Sequence, residues 1–86
     1  MSDSAIQAVL ASLSEKAMLF DPKDLPPLAE SHDQFREISR LTGEQRICTA
    51  IEAATKILER VMMRDIEGGD AASALDTVTQ TVINIR

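Results

Sequence analysis

Regular spacing of apolar residues in the middle of the chain is the feature that most constrains the fold. Around the stretch TAIEAATKILERVMM, residues 49–63, apolar side chains recur at alternating steps of four and three residues. This spacing is typical of an α-helix that packs along one side against another helix. At ~100° per residue, the apolar positions cover roughly half of the helix circumference, which is more than one neighbouring helix hides. The seam residues are Ile47, Ile51, Ala54, Leu58 and Val61.

The composition restricts how the rest of the chain can fold. The 86 residues make a single domain, residues 1–86, and the only aromatic side chains available for a core are Phe20 and Phe35. The core must therefore be built from Leu, Ile, Val, Ala and Met, a set that includes strong helix formers. The composition favours an all-α fold.

Three stretches rich in proline, glycine or polar residues divide the chain into four segments. They are DPKDLPP at 21–27, LTGEQ at 41–45 and EGGD at 67–70. We expect a small bundle of three to four helices with a long central helix and an antiparallel C-terminal helix. The predicted helices span about 4–20, 31–41, 43–67 and 70–85, with residues 21–27 as a proline-rich linker.

Local signals indicate where the second helix begins. Pro26 and Pro27 predict an extended path for the linker, because proline biases the residue before it towards extended conformations. Ser31, with Gln34 three residues later, has the form of a capping box, in which the two side chains bind free backbone N–H groups of the first helical turn. The second helix is therefore predicted to begin at about residue 31.

The third helix has boundary signals of its own. Thr42 and Gln45 repeat the capping-box form, and Gly68 with Gly69 predicts the end of the helix. Beyond the glycines, apolar residues again recur at helical spacing, which favours a fourth helix. The β-branched residues of TVTQTVINI, at 77–85, leave a strand as the alternative for this segment.

The net charge of −5 is unevenly distributed along the chain. Residues 1–35 carry six acidic and two basic side chains, residues 36–64 carry four and six, and residues 65–86 carry four and one. The overall negative sign disfavours general nucleic-acid binding, which depends on neutralising phosphates. The positive central part leaves a local contact with phosphate open.

Basic residues in this central part define an alternative function. Lys56, Arg60 and Arg64 are spaced by four on the third predicted helix, and Arg36 and Arg40 are spaced by four on the second. One interpretation is a basic face that binds phosphate or an acidic partner, as in a nucleic-acid-associated transcriptional regulator. The other, which we favour, is a solvated helix surface with weak pairs between neighbouring charges.

No residue pattern predicts catalysis or a bound cofactor. His32, the only histidine, has no recognisable motif of nucleophile and orienting partner around it. Cys48, the only cysteine, lies at the edge of the apolar arc, which favours a partly buried and inert thiol. The spacings of zinc, calcium and phosphate-loop motifs are missing. We therefore expect a protein without enzymatic activity, metal or cofactor.

Several features favour a cytoplasmic protein. A single cysteine allows no internal disulfide, although small secreted domains usually depend on such bonds. No stretch approaches the ~20 apolar residues that cross a bilayer, and the N-terminal stretch lacks a basic region followed by a long apolar run. We therefore expect no contact with a membrane.

Apolar residues outside the helical stripes point to binding of another protein molecule. Met18 and Leu19 lie off the stripe of the first predicted helix, and Met62, Met63 and Ile66 crowd the end of the third. A small domain covers such residues either under its linker or in an association surface. We favour the second and expect a regulatory or accessory protein of bacterial or phage type that binds a partner protein or a second copy, forming a homodimer. The predicted interaction residues are Arg60, Met62, Met63, Arg64 and Ile66.

Overall fold

The computed structural model describes residues 2–85, which form four helices and no strand. In chain order, the helices are α1 (Ser2–Ala17), α2 (Leu25–Leu41), α3 (Gln45–Met62) and α4 (Gly68–Ile85). The predicted all-α bundle is therefore confirmed. Residues 77–85, for which a strand is the alternative on sequence grounds, lie in α4.

The four helices pack in a ring. α1 contacts α2, α2 contacts α3, α3 contacts α4, and α4 returns to contact α1, whereas the diagonal pairs do not approach each other within residues 2–85. The connections have only seven, three and five residues, so consecutive helices run antiparallel. Connections 18–24 and 63–67 therefore lie at one end of the bundle, named here the loop end, and connection 42–44 lies at the opposite end. The bundle measures 40 × 22 × 18 Å.

The core runs through the middle of the ring. Each helix contributes buried residues at steps of three and four, and Leu13, Phe35, Leu58 and Val78 are fully buried members from the four helices in turn. The buried residues of α3 are those of the predicted seam, Ile51, Ala54, Leu58 and Val61. Two neighbours, α2 and α4, together cover the apolar arc of α3 that a single neighbour cannot hide.

α2 begins six residues earlier than the sequence predicts. Pro26 and Pro27 lie in its first turn, so the prediction that they force an extended linker is wrong. The first N–H groups of a helix have no partner within the helix, and proline, which has no N–H, loses nothing at these positions. Ser31 is not a cap but a fully buried residue within α2, and the predicted box with Gln34 does not form.

The predicted box of Thr42 and Gln45 does not form either. Glu44 occupies the N-cap position of α3 and makes no side-chain cap hydrogen bond. The Thr42 hydroxyl accepts the Glu44 backbone N–H at 3.2 Å, whereas the Gln45 side chain donates to the Thr49 hydroxyl at 3.4 Å. Thr42 thus bonds within the connection 42–44, and Gln45 bonds within the first turns of α3, so neither side chain caps the other residue.

α3 ends at Met62, five residues before its predicted end. A Schellman motif closes it: the Asp65 N–H donates to the Arg60 carbonyl at 2.9 Å, and the Arg64 N–H donates to the Val61 carbonyl at 3.1 Å. The left-handed position of this motif is usually glycine, but here Arg64 occupies it with φ of 63°. Sequence reasoning missed the end of the helix for that reason.

The glycine pair begins α4 instead of ending α3. Gly68 also has φ of 63° and is the first residue of α4, followed by Gly69 within the same helix. As a result α3 has 18 residues, as many as α4, and is not a longer central helix. Residues 63–67, predicted to be helical, instead form a connection at the loop end.

Candidate interaction surface at the loop end

Large apolar side chains are exposed mainly at one end of the molecule. Among the described residues, five such side chains are exposed, and four of them belong to the loop end. Their exposed fractions are 85% for Met18, 72% for Leu19, 40% for Leu25 and 72% for Met63. These four residues are named the loop-end patch. The fifth, Ile83 at 53%, lies near the end of α4 at the opposite end.

Met18 and Leu19 are exposed because the chain turns sharply after α1. The Leu19 N–H donates to the Lys16 carbonyl at 2.9 Å, which tightens the last turn. Phe20 then folds back and packs, partly buried, against the core. Met18 and Leu19 are left on the outside of this turn, so they do not pack under the linker. Their position off the helical stripe was the sequence signal for this exposure.

The predicted patch at the end of α3 is divided by the structure. Met62 and Ile66 are partly buried and pack against the core, whereas Met63, between them in the sequence, is exposed. Leu25, which the sequence did not single out, joins Met63 at the loop end as the first residue of α2. Its exposure follows from the early start of α2, which the two prolines concealed.

A groove separates the two connections of the loop end. It has a volume of about 490 Å³, and Pro22 and Leu25 face it from one side while Ile66 and Gly68 face it from the other. Because both connections line one groove, they lie side by side at the surface. Residues that are about forty positions apart in the sequence thus share one apolar surface.

Four charged side chains also line this groove. They comprise two acids, Asp21 and Glu67, and two bases, Lys23 and Arg64. None of the four takes part in an ion pair among the residues that the structure describes. The Asp21 carboxylate instead accepts the backbone N–H of Lys23 at 2.9 Å. The groove therefore presents two positive and two negative charges that form no ion pairs with one another.

The predicted row of bases on α3 is interrupted. Lys56 and Arg60 lie on exposed positions of α3, but Arg64 lies beyond its end, in the connection, where it faces the groove. Three bases spaced by four form a continuous stripe only while the helix continues. The Schellman motif therefore separates Arg64 from the other two, although all three are exposed.

Acids alternate with bases on the outer surface of α2 and α3. Arg40 donates a hydrogen bond to the Glu37 carboxylate, which holds the pKa of that carboxyl below its ordinary value. Arg36 lies in a shallow groove between the helices together with Glu52 and Glu59. Mixed charge of this kind is typical of a solvated helix face, and a phosphate-binding surface needs a concentration of bases.

His32 and Cys48 each make one polar contact between α2 and α3. The Nε2 atom of His32 lies 2.7 Å from a carboxylate oxygen of Glu59, which links α2 to α3. Cys48 is half-buried, and its thiol donates a long hydrogen bond of 3.7 Å to the Ser39 carbonyl. Neither residue hydrogen-bonds the other. Among the side chains of residues 4–85, we find no cluster of three or more suited to holding a metal ion.

Comparison with known proteins gives no further assignment. Family models, curated protein sequences and solved structures all yield no significant match to this chain. In the described part of the chain, every helix is too short or too polar to span a bilayer.

Proposed function

We propose that the protein is a small, non-catalytic interaction module with a regulatory or accessory role, which binds another protein molecule through the loop-end patch. One observation carries this proposal. Four of the five large apolar side chains exposed in residues 2–85 belong to one end of the bundle, and one of them, Leu25, lines the groove there. Scattered single exposures are ordinary, but a contiguous apolar patch is typical of a binding surface.

The identity of the exposed residues supports the same proposal. Water contact with an apolar side chain costs about 25 cal/mol per Å², so covering the patch favours association. Met18 and Met63 are the two methionines of the patch, and both are largely exposed. Methionine is flexible and polarisable, and it adapts to the shape of a bound surface.

Site-specific photo-crosslinking tests whether the loop end meets another protein. A benzophenone amino acid replaces Met63 at the loop end or Ile83 at the opposite end, two positions that are both apolar and more than half exposed. Each variant is illuminated in an extract of the cells that produce the protein. We expect discrete crosslinked products from position 63 and none from position 83.

The masses of the products separate a second copy from a different protein. A product of twice the 9.4 kDa chain mass contains two copies, and any other discrete mass contains a partner. Circular dichroism shows whether each variant keeps its helices. Equal crosslinking at both positions, or no product from position 63 even with the purified variant added to ~1 mM, would contradict the proposed function.

A further inference from the structure

The charges around the loop-end groove restrict the kind of partner surface that can bind there. The groove carries Asp21 and Lys23 on one connection and Arg64 and Glu67 on the other. Each connection thus presents one acid and one base, and none of them is ion-paired within the molecule. A partner of one charge sign would meet repulsion from half of these groups.

We infer that the occupant of the loop-end patch is a second copy of this chain, bound end to end about a two-fold axis. This inference rests on the proposed function, since it assigns the partner of the same surface. A two-fold interface brings identical surfaces together, so any group that a surface presents must find its complement on that same surface. The loop end carries both members of each possible ion pair, because its groove has two acids and two bases.

The apolar residues fit the same arrangement. Met18 and Leu19 belong to one of the two connections that line the charged groove, and Met63 belongs to the other. End-to-end contact covers these side chains with their counterparts in the second copy. It also brings the acids of one copy within reach of the bases of the other, which are unpaired in the single chain.

The size of the end face sets the strength of the dimer. The bundle is only 22 × 18 Å across, perpendicular to its 40 Å long axis. Stable interfaces bury about 800 Å² on each partner, more than a face of this width offers. The end-to-end dimer is therefore weak, and it forms progressively as the concentration rises.

Small-angle X-ray scattering across concentration tests both the dimer and its geometry. We expect the mass of purified protein to rise from one chain towards two between about 10 μM and about 1 mM, the range for an interface below the standard size. The maximum dimension should rise to about twice the 40 Å length of the single bundle. A side-by-side dimer, whose length stays near that of one bundle, would overturn the inference.

Complementary charge reversals test the pairing across the two-fold axis. Arg64→Glu leaves three acids and one base around the groove, and Glu67→Arg leaves three bases and one acid. Each variant alone should dimerise about tenfold more weakly, because like charges then face each other. An equimolar mixture of the two variants should recover association to about the level of the unmodified chain, since the excess charges are then opposite. No recovery in the mixture would overturn the inference.

Arg46→Glu is the matched control for these reversals. Arg46 is exposed at the opposite end, so its reversal should leave the dimer unchanged. Failure of the inference and failure of the proposed function are distinguishable. A chain that stays monomeric at ~1 mM overturns the second-copy inference, whereas crosslinking of a different protein from position 63 would still support the interaction module.

Discussion

The two ends of the bundle differ in how far they cover their apolar side chains. The opposite end is closed by the three-residue connection 42–44, and Ile47 and Ile85 near it are partly buried against the core. The loop end carries two longer connections, and it leaves Met18 and Met63 largely exposed. A connection of three residues thus suffices for Ile47 and Ile85 to pack on the core, and Ile83 is the one large apolar side chain that the described residues expose near that end. Small size alone does not explain the exposed patch at the other.

Backbone conformation also distinguishes the two ends of the bundle. Both left-handed residues of the described chain, Arg64 and Gly68, belong to the loop end. A non-glycine residue in this conformation costs about 1–2 kcal/mol, and such strain clusters at functional surfaces. The loop end therefore combines solvent-exposed apolar side chains with an unfavourable backbone, and the opposite end has neither feature to this degree.

Substitutions at two adjacent residues of the loop end should differ most in their effect on the free energy of unfolding. Phe20→Ala should lower the free energy of unfolding by about 2–3 kcal/mol, somewhat less than for a fully buried phenylalanine, because Phe20 is partly buried on the core. Leu19→Ala should change it by less than about 0.5 kcal/mol, because Leu19 is exposed. Urea denaturation followed by circular dichroism measures both. Similar losses for the two variants would mean that Leu19 is also part of the core.

Backbone substitutions at the two ends should have opposite signs. Gly68→Ala should lower the free energy of unfolding by about 1–2 kcal/mol, because an L side chain is strained at φ of 63°. Gly43→Ala at the opposite end should raise it by about 0.4–1 kcal/mol, because an added methyl meets nothing within 4 Å and the unfolded chain loses freedom. Thermal unfolding measures both.

Arg64→Gly sharpens this test. Glycine at the left-handed position of the Schellman motif should raise the free energy of unfolding by about 1 kcal/mol, since the strain of Arg64 disappears. A loss of stability on this substitution would show that Arg64 makes a contact stronger than its backbone strain. The expected gain raises the melting temperature of the variant by about 4–8 °C, whereas such a contact would make it fall.

A smaller effect concerns the half of α2 nearer the loop end. The Ser31 hydroxyl is fully buried among core residues and has no hydrogen-bond partner in residues 4–85. Ser31→Ala should raise the free energy of unfolding by about 1 kcal/mol, because a buried unsatisfied hydroxyl is destabilising. Ser39→Ala, in the other half of the same helix, is the control and should have almost no effect. An equal change in both variants would show that helix propensity, not the buried hydroxyl, is responsible.

The smallest effect lies near the opposite end and depends on pH. The hydrogen bond from Arg40 and its positive charge lower the pKa of the Glu37 carboxyl. The stabilisation is therefore present above the unfolded-state pKa of glutamate and is lost as the pH falls through the lowered folded-state value. In an NMR titration, Arg40→Gln should raise the pKa of Glu37 towards its ordinary value. An unchanged pKa would mean that the pair does not persist in solution.

The sequence predicted the fold class because its strongest signal, helical spacing, depends on burial along whole helices. Ile51, Leu58 and Val82 are buried as their spacing requires. It failed at helix boundaries, where single residues decide. Pro27 is compatible with both a linker and a first helical turn, and Arg64 occupies a position that glycine usually marks.

The loop-end surface was predicted only in part. Met18 stood out because it lies off the stripe of the first helix, and Met63 because apolar residues crowd the end of the third; both are exposed. Ile66 was grouped with them, but the connection turns it back onto the core. The groove between the connections had no sequence signal, because the packing of α1, α2, α3 and α4 brings residues such as Pro22 and Glu67 together. Tertiary arrangement, not local pattern, creates that part of the surface.

The ring arrangement of the helices also governs how the chain reaches its native state. Three of the four seams join helices that follow each other along the chain, so they form by closing short loops at low entropic cost. Only the seam between α1 and α4 joins segments that are distant in the sequence. Folding of such a topology is fast because most native contacts are local. Docking of the first helix against the last is the one step that needs a large loop to close, and it is where folding meets its largest entropic cost.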